Sequence, residues 1–306
     1  MKILITGASG FIGTALLNRY PDKKFRKVLR AMNGRNSLDT FHINSVNDNT
    51  DWSGAFNDVD VVIHLAGLAH SNSYTDSKYA DVNTNGTIHL ASEAERGGVK
   101  RFIFVSSIGV IGNKTIGNEV FSEDSIPAPQ SSYAKSKYIA EQRLLDIASK
   151  SNMEVVVIRP VLVYGKNAPG NFRKLVNLVN KVPMLPFALC DNKRSFISVD
   201  NLADFISVCI EHPKAKNEIF CISDGVDVSI KEFTNGIAKG LEKPLIQLPV
   251  PSFVFSLLGK VSGKKEQIEQ LTGDLQVDSS KARELLGWKP PFTMADTFSC
   301  LTTNKQ

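Results

Sequence analysis

Apolar positions along the chain fall into short runs separated by stretches of helical periodicity. Lys2–Thr6 predicts a buried strand and Phe11–Tyr20 a helix. Lys27–Met32 predicts a second strand and Val59–Ala66 (VDVVIHLA) a third. The third is nearly all apolar, as a strand covered on both faces should be. Tyr79–Arg96 predicts a long helix that Gly97-Gly98 would stop. Arg101–Ser106 (RFIFVS) predicts another strand, followed by a polar loop from Gly112 to Ser132. Tyr133–Lys150 then reads as a helix and Met153–Arg159 as a strand. Such alternation implies an α/β protein with a parallel sheet covered by helices, because parallel strands need crossovers.

The second half is less regular. Strand-like runs at Ser195–Val199 and Glu218–Ile222 sit among helical patterns near Phe172–Asn180, Asp200–Glu211, Ser229–Gly240 and Ser279–Leu286. Both strands are expected to return to the main sheet. The last of these helices is well punctuated, with Asp278 or Ser279 as cap, Gly287 as stop and Pro290-Pro291 beyond. Val250–Val261 is apolar but interrupted by Ser252, Ser256 and Gly259, a length that suits a core or pocket-lining helix.

Composition narrows the class without naming it. The 306 residues are 42% hydrophobic and 22% charged, ordinary for a globular protein. A net charge of +5, spread among mixed charges, describes a solvated surface and suits an anionic small substrate. No motif points to nucleic acid. No run is apolar enough for a membrane span or a signal peptide. Cys190, Cys209, Cys221 and Cys300 lack the spacing of a metal or disulfide framework, so no metal is expected and a reducing, cytoplasmic setting is.

Two motifs carry chemistry. Gly7-Ala8-Ser9-Gly10-Phe11-Ile12-Gly13 follows a strand and opens a helix. Glycines let backbone approach a pyrophosphate, and a helix N-terminus offers it free N–H groups. A tight strand–helix turn alone would show glycines too, but the full context favours a dinucleotide. An acid about 20 positions on would grip the ribose of NAD. Here Asn33 stands near that place, between Arg30 and Arg35. The arginines suit a 2′-phosphate, or are simply two surface charges, so NADP is favoured with NAD open.

Tyr133 and Lys137 are the second motif, four apart on one helix face. A free phenol with a pKa of about 10 is a poor base, and a nearby ammonium lowers that value. The pair alone is common by chance. Ser106-Ser107, however, ends a predicted parallel strand, where hydroxyls face the ligand crevice. Asn83, a mediocre helix former, lies inside a predicted helix.

Over nearly its whole length the sequence resembles the extended short-chain dehydrogenase/reductases, in their nucleotide-sugar epimerase/dehydratase branch. TGASGFIG (Thr6–Gly13) resembles the cofactor loop, and HLAG (His64–Gly67) the strand end, with Leu65, Ala66 and Gly67, that touches the adenosine side. Asn83 resembles the family's helix asparagine, Ser107 its active-site serine, and YAKSK (Tyr133–Lys137) supplies the tyrosine and lysine. RPVLVYG (Arg159–Gly165) resembles the strand leading to the sugar-nucleotide pocket. Arg194 and Asn171 resemble residues that meet the substrate diphosphate, and Asp274, in the GDLQVDSSKARELLGW segment, is expected to bind substrate with them. Ile111, Ser45 and Leu271 depart from common family residues.

The resemblance implies a doubly wound Rossmann fold over residues 1–165, joined by parts of 190–222. A smaller, discontinuous C-terminal substrate-binding domain takes most of 166–306. It implies Ser107, Tyr133, Lys137 and Asn83 as catalytic residues, a UDP-sugar substrate that Ser107 and Tyr133 also contact, and a homodimer through the helices Tyr79–Arg96 and Tyr133–Lys150. The sequence most resembles a subgroup that reduces UDP-2-acetamido-2,6-dideoxy-4-ketohexoses for surface-polysaccharide synthesis. A 4-ketoreductase is therefore expected, with a UDP-hexose or UDP-N-acetylhexosamine 4-epimerase as the alternative. A 4,6-dehydratase is disfavoured, because Ile108-Gly109 follow Ser107 where that chemistry needs an acid. A non-catalytic cofactor-binding sensor would be marked by loss of the tyrosine or lysine, and both are present.

Overall fold

The computed structural model describes residues 1–30, 36–69, 74–251, 253–255 and 265–302. Seven parallel strands form the main sheet: β1 (Lys2–Thr6), β2 (Lys24–Arg30), β3 (Thr40–Ile43), β4 (Val61–His64), β5 (Arg101–Val105), β6 (Glu154–Pro160) and β10 (Ile219–Ile222). Their order is β10-β6-β5-β4-β1-β2-β3. Strands β4 and β5 are buried at every position, which is why they read as unbroken apolar runs.

Alternation sorts the sheet's side chains into two layers. Ile3, Ile5, Ile63, Ile103 and Val105 pack with α1 (Phe11–Arg19) and α6 (Val199–Glu211) on one face. Leu4, Val62, Phe102 and Phe104 pack with α3 (Gly86–Arg96) and α4 (Ser132–Lys150) on the other. The chain order reverses between β1 and β4, which opens a crevice at their carboxyl ends.

The second half builds a smaller layer. Strands β7 (Leu162–Tyr164), β9 (Arg194–Ser198) and β11 (Asp227–Val228) make a separate sheet, ordered β11-β9-β7. A third core joins Tyr164, Phe172, Phe196, Phe233 and Phe298, drawing on α5 (Gly170–Lys181), α7 (Ile230–Gly240) and the late helix Met294–Ser299. Only Val161 separates β6 from β7. The buried Tyr164 hydroxyl donates to Asp224 at 2.8 Å, and Asp224 also accepts from Asn201 on α6 at 2.7 Å.

Several expectations shift. Strand β10 does join the main sheet, beside β6. The run at 194–199 does not: it pairs with Leu162–Tyr164 and with Asp227–Val228. The β6 edge is already taken by β10, and the chain turns out of the sheet after Pro160, which offers no N–H to a ladder. The second strand starts three residues earlier than expected. Strand β3 was not anticipated. The predicted helix over Tyr79–Arg96 is three segments: α2 (Asp76–Tyr79), a π-helical turn (Ala80–Asn85) and α3. Most of the apolar segment 250–261, together with Asn33 and Arg35, lies outside the described residues.

Candidate active site

The glycine turn sits at the carboxyl end of β1. Gly7 has φ of +69°, and a Cβ there would lie 2.8 Å from Ala66 N. A Cβ on Gly13 would overlap the Gly7 carbonyl oxygen and lie 2.9 Å from Ala8 Cα. Turn, helix start and β4 end therefore touch backbone to backbone, a cradle that side chains would fill. Gly10 is the N-cap of α1, whose first turn carries no acid. Phe11 and Ile12 face inward and pack against the third core and the main core. These features fit a dinucleotide pyrophosphate. Arg30, at the end of β2, is exposed. Leu65 packs on the main core, and Ala66 N donates to Thr6 Oγ1 at 3.2 Å.

Across the crevice, β5 delivers Ser106 and Ser107. Ser106 is buried, and its hydroxyl has no hydrogen-bond partner among the described residues. Ser107 caps a single 3-10 turn (Ile108–Val110), where its Oγ accepts from Gly109 N at 3.1 Å. Helix α4 begins with Ser131 as N-cap, its hydroxyl accepting from Ala134 N, and so brings Tyr133 up to Ser107. Burial pushes the Tyr133 phenol up to about 12, opposed by its hydrogen bond to Ser107. The ring meets Tyr79 edge-on at 6.1 Å.

One turn along α4, Lys137 is buried. Its Nζ donates to the Val105 carbonyl at 2.9 Å and lies 4.6 Å above the Phe104 ring. Burial lowers its pKa to about 8, and the charge of Glu141 works the other way. Glu141, a further turn on, is itself fully buried and clamped by Arg159 of β6. Arg159 Nε reaches both carboxylate oxygens at 3.2 Å, and Nη2 reaches Oε2 at 2.7 Å.

Asn83 lies in the π turn, fully buried. Its Oδ1 accepts from Leu68 N at 2.7 Å, and its Nδ2 donates to the Leu68 carbonyl and to Ser136 Oγ. Thr84, beside it, donates to the Ser136 carbonyl at 2.9 Å. The extra residue of a π turn, a form concentrated at functional sites, thus lets the segment grip α4 just behind Tyr133. A Cβ placed on Gly67 would lie 3.0 Å from Asn83 Oδ1 and 3.6 Å from Lys137 Nζ, so these three meet. Ser107, Tyr133, Lys137, Asn83 and the HLAG strand end converge at one crevice.

A second group forms at the smaller sheet. Arg194 Nη1 donates to the Gly273 carbonyl at 2.9 Å, and the neighbouring Lys193 N donates to Asp274 Oδ1 at 2.7 Å. Burial lowers the Arg194 pKa to about 10, with Asp274 opposing. Asn171, in the first turn of α5, is exposed, and no hydrogen bond among the described residues ties it to this group. The sequence reading gave no role to Glu141, and none to His64 beyond its place in HLAG. Their signal was weak: single polar residues inside otherwise packed elements.

The family model for the NAD dependent epimerase/dehydratase family matches residues 3–223. A UDP-glucose 4-epimerase of Vibrio cholerae is 43% identical over 305 residues, covering 97% of this chain and 93% of that one. The chain belongs to the NAD dependent epimerase/dehydratase family. It is therefore an enzyme of a nicotinamide-dependent class. A more distant epimerase/dehydratase relative is the N-acetyl-α-D-glucosaminyl-diphospho-ditrans,octacis-undecaprenol 4-epimerase of Escherichia coli O157:H7, 28% identical over 309 residues, or 96% of this chain and 92% of that one. Among solved structures, UDP-glucuronic acid 4-epimerase from Bacillus cereus in complex with NAD superposes with a TM-score of 0.76 at 22% identity, covering 98% and 97% of the two chains. That likeness is one of fold: the α/β sheet of the epimerase/dehydratase family is the sheet seen here. No described helix is long and apolar enough to cross a membrane.

Proposed function

We propose that this enzyme is a UDP-hexose 4-epimerase, inverting C4 of UDP-glucose or of the matching UDP-N-acetylhexosamine. The observation that carries the reading is the 43% identity, over 97% of the chain, to a UDP-glucose 4-epimerase. The relatives thus favour the alternative over the 4-ketoreductase expected from the sequence. The site suits either reaction, because both move one proton and one hydride at C4.

In this reading Tyr133 takes the proton of the C4 hydroxyl and later returns one to the C4 oxygen. Ser107 holds that oxygen by hydrogen bond throughout. Lys137 supplies positive charge and a ribose contact, and Asn83 keeps the helix carrying both in register. The turn Gly7, Gly10, Phe11, Ile12 and Gly13 and the strand end Leu65, Ala66 and Gly67 hold the dinucleotide. Bound NAD supplies a reversible hydride acceptor for C4. Arg194, beside Asp274, faces the substrate diphosphate, and Asn171 at the start of α5 is a further candidate for the same group. The Tyr133 pKa of about 12 means that the phenol becomes an effective base only when positive charge is gathered around it.

An epimerase consumes no reductant, so the reading takes NAD as the cofactor and assigns no 2′-phosphate role to Arg30. It also carries a homodimer through α3 and α4, where Ile139 is exposed. The test is to incubate purified enzyme with UDP-glucose, and separately with UDP-N-acetylglucosamine, with no added reductant, and follow C4 inversion by proton NMR. Interconversion supports the proposal. No inversion, together with steady NADPH or NADH oxidation by a UDP-4-keto-6-deoxy-N-acetylhexosamine, would replace it with the reductase.

A further inference from the structure

His64, the last residue of β4, is fully buried between Phe102 and Phe104, the latter ring stacked at 5.9 Å. Both ring nitrogens are bonded. Nδ1 lies 2.7 Å from Thr6 Oγ1, and Nε2 lies 2.8 Å from Thr87 Oγ1. The direction of each proton follows from counting. Thr87 has one hydroxyl hydrogen, and it goes to the Asn83 carbonyl at 2.8 Å. Thr87 Oγ1 can then only accept at the ring, so Nε2 carries a hydrogen.

On the other side, Ala66 N already donates to Thr6 Oγ1 at 3.2 Å. Were Nδ1 also protonated, the Thr6 hydroxyl hydrogen would have no acceptor among the described residues, a costly state in a dry interior. Nδ1 is therefore bare, and Thr6 donates to it. The ring is the neutral Nε2–H tautomer. Burial, aided by the Lys137 charge, agrees by pushing the His64 pKa down to about 3.

The chain of bonds now has one direction on each side of the ring: Ala66 N–H to Thr6 to Nδ1, and Nε2–H to Thr87 to the Asn83 carbonyl. Its two ends lie in different parts of the site. Thr6 directly precedes Gly7, whose turn presses on Ala66. Asn83 sits in the π turn that grips α4 behind Tyr133 and Lys137. We infer that His64 is a positioning residue that sets the cofactor turn and the Asn83 segment at a fixed separation. The inference rests on the family's nicotinamide chemistry and holds for epimerase and reductase alike.

Two substitutions divide the ring. His64→Asn keeps an acceptor at the Nδ1 position for Thr6, and His64→Gln keeps a donor at the Nε2 position for Thr87. A ring that only filled space would be replaced equally badly by both. The experiment measures NAD+ affinity by calorimetry and kcat at saturating NAD+ on folded full-length protein, with ring nitrogen shifts of the wild-type histidines at pH 7. For His64→Gln the expected result is NAD+ binding weakened by about tenfold or more, with kcat held within about threefold. For His64→Asn it is the reverse split, with kcat down by about tenfold to a hundredfold and NAD+ affinity nearly kept. Followed from pH 7 down to about 5, below the ordinary histidine pKa of about 6.5, the wild-type spectrum should show one histidine that keeps the neutral Nε2–H form throughout. Parallel losses in both variants, or an Nδ1–H or doubly protonated His64, overturn the inference. If neither variant folds, an Nδ1–H or doubly protonated His64 in the wild-type spectrum still overturns the inference. Absence of UDP-glucose turnover bears on the proposed function alone, since binding and ring shifts need no sugar.

Discussion

Removing Arg159 is the sharpest test of how helix α4, which carries Tyr133 and Lys137, is held. Arg159→Met keeps the length of the side chain and deletes its charge. The change strips Glu141 of all three guanidinium hydrogen bonds, the shortest at 2.7 Å, while that carboxylate remains fully buried. Breaking one side of a buried ion pair costs roughly 3–5 kcal/mol, because a charge is left without compensation. That is a large share of the roughly 5–15 kcal/mol that holds a folded protein together. Equilibrium urea unfolding, with NAD+ fixed at one concentration because ligand adds to apparent stability, measures it. Glu141→Leu combined with Arg159→Met should recover most of the loss, since apolar replacements of a whole pair are often neutral. The single variant carries a second signature. With Arg159 gone, the Glu141 charge acts undiminished on Lys137, one turn away, and raises its pKa above about 8. The alkaline limb of the kcat profile should move up with it. A loss under about 1 kcal/mol, the scale of an exposed pair, would refute the reasoning.

Tyr133→Phe should lower kcat by about a hundredfold to ten-thousandfold, the usual worth of a positioned acid/base group, while NAD+ affinity measured by calorimetry stays close to wild type. In the wild type, kcat should be flat below about pH 8 and fall above it: burial has lowered the Lys137 pKa to about 8, so its ammonium is present below that pH and lost as pH rises through it. A profile still flat at pH 10 would contradict this. Gly13→Ala places a methyl group against Gly7 oxygen and Ala8 Cα, backbone atoms that cannot swing aside. NAD+ binding should weaken by about tenfold or more, since the cradle must open; unchanged binding would remove the turn from the cofactor site.

The sequence exposed what periodicity can encode. Strands β1, β4 and β5 are buried on both faces and so stand out as apolar runs. Ser107, Tyr133 and Lys137 could be picked out as candidates because their signals are local: a hydroxyl just past the end of β5, and a Tyr-x-x-x-Lys spacing in the first turns of α4. Strand β3 (TFHI) was missed, since a four-residue edge strand with two polar positions resembles a loop. The run at 194–198 is a short strand buried at four of its five positions, and nothing in its own residues says which sheet it joins. The π turn at 80–85 is one extra residue in a helical pattern, below the resolution of periodicity. The buried acceptors of Arg159 and the two partners of His64 come from elements 18 to 58 residues away, so they appear only when the chain is folded.

The joint at Val161 constrains how such an enzyme can be recombined. The main sheet ends on β10, which comes from beyond the smaller sheet's β7 and β9 in chain order. Its backbone lies along Val157–Pro160 of β6. A chimera made by one exchange at residue 161 would therefore inherit a foreign β10 on a native β6. A truncation there would bare the β6 edge as a template for aggregation. Exchanging the whole smaller layer between relatives takes three crossovers, at 161 and on either side of 219–222, so that β10 stays with its parent sheet. The smaller layer cannot be lifted out as a cassette, because the chain that makes it returns to close the larger one.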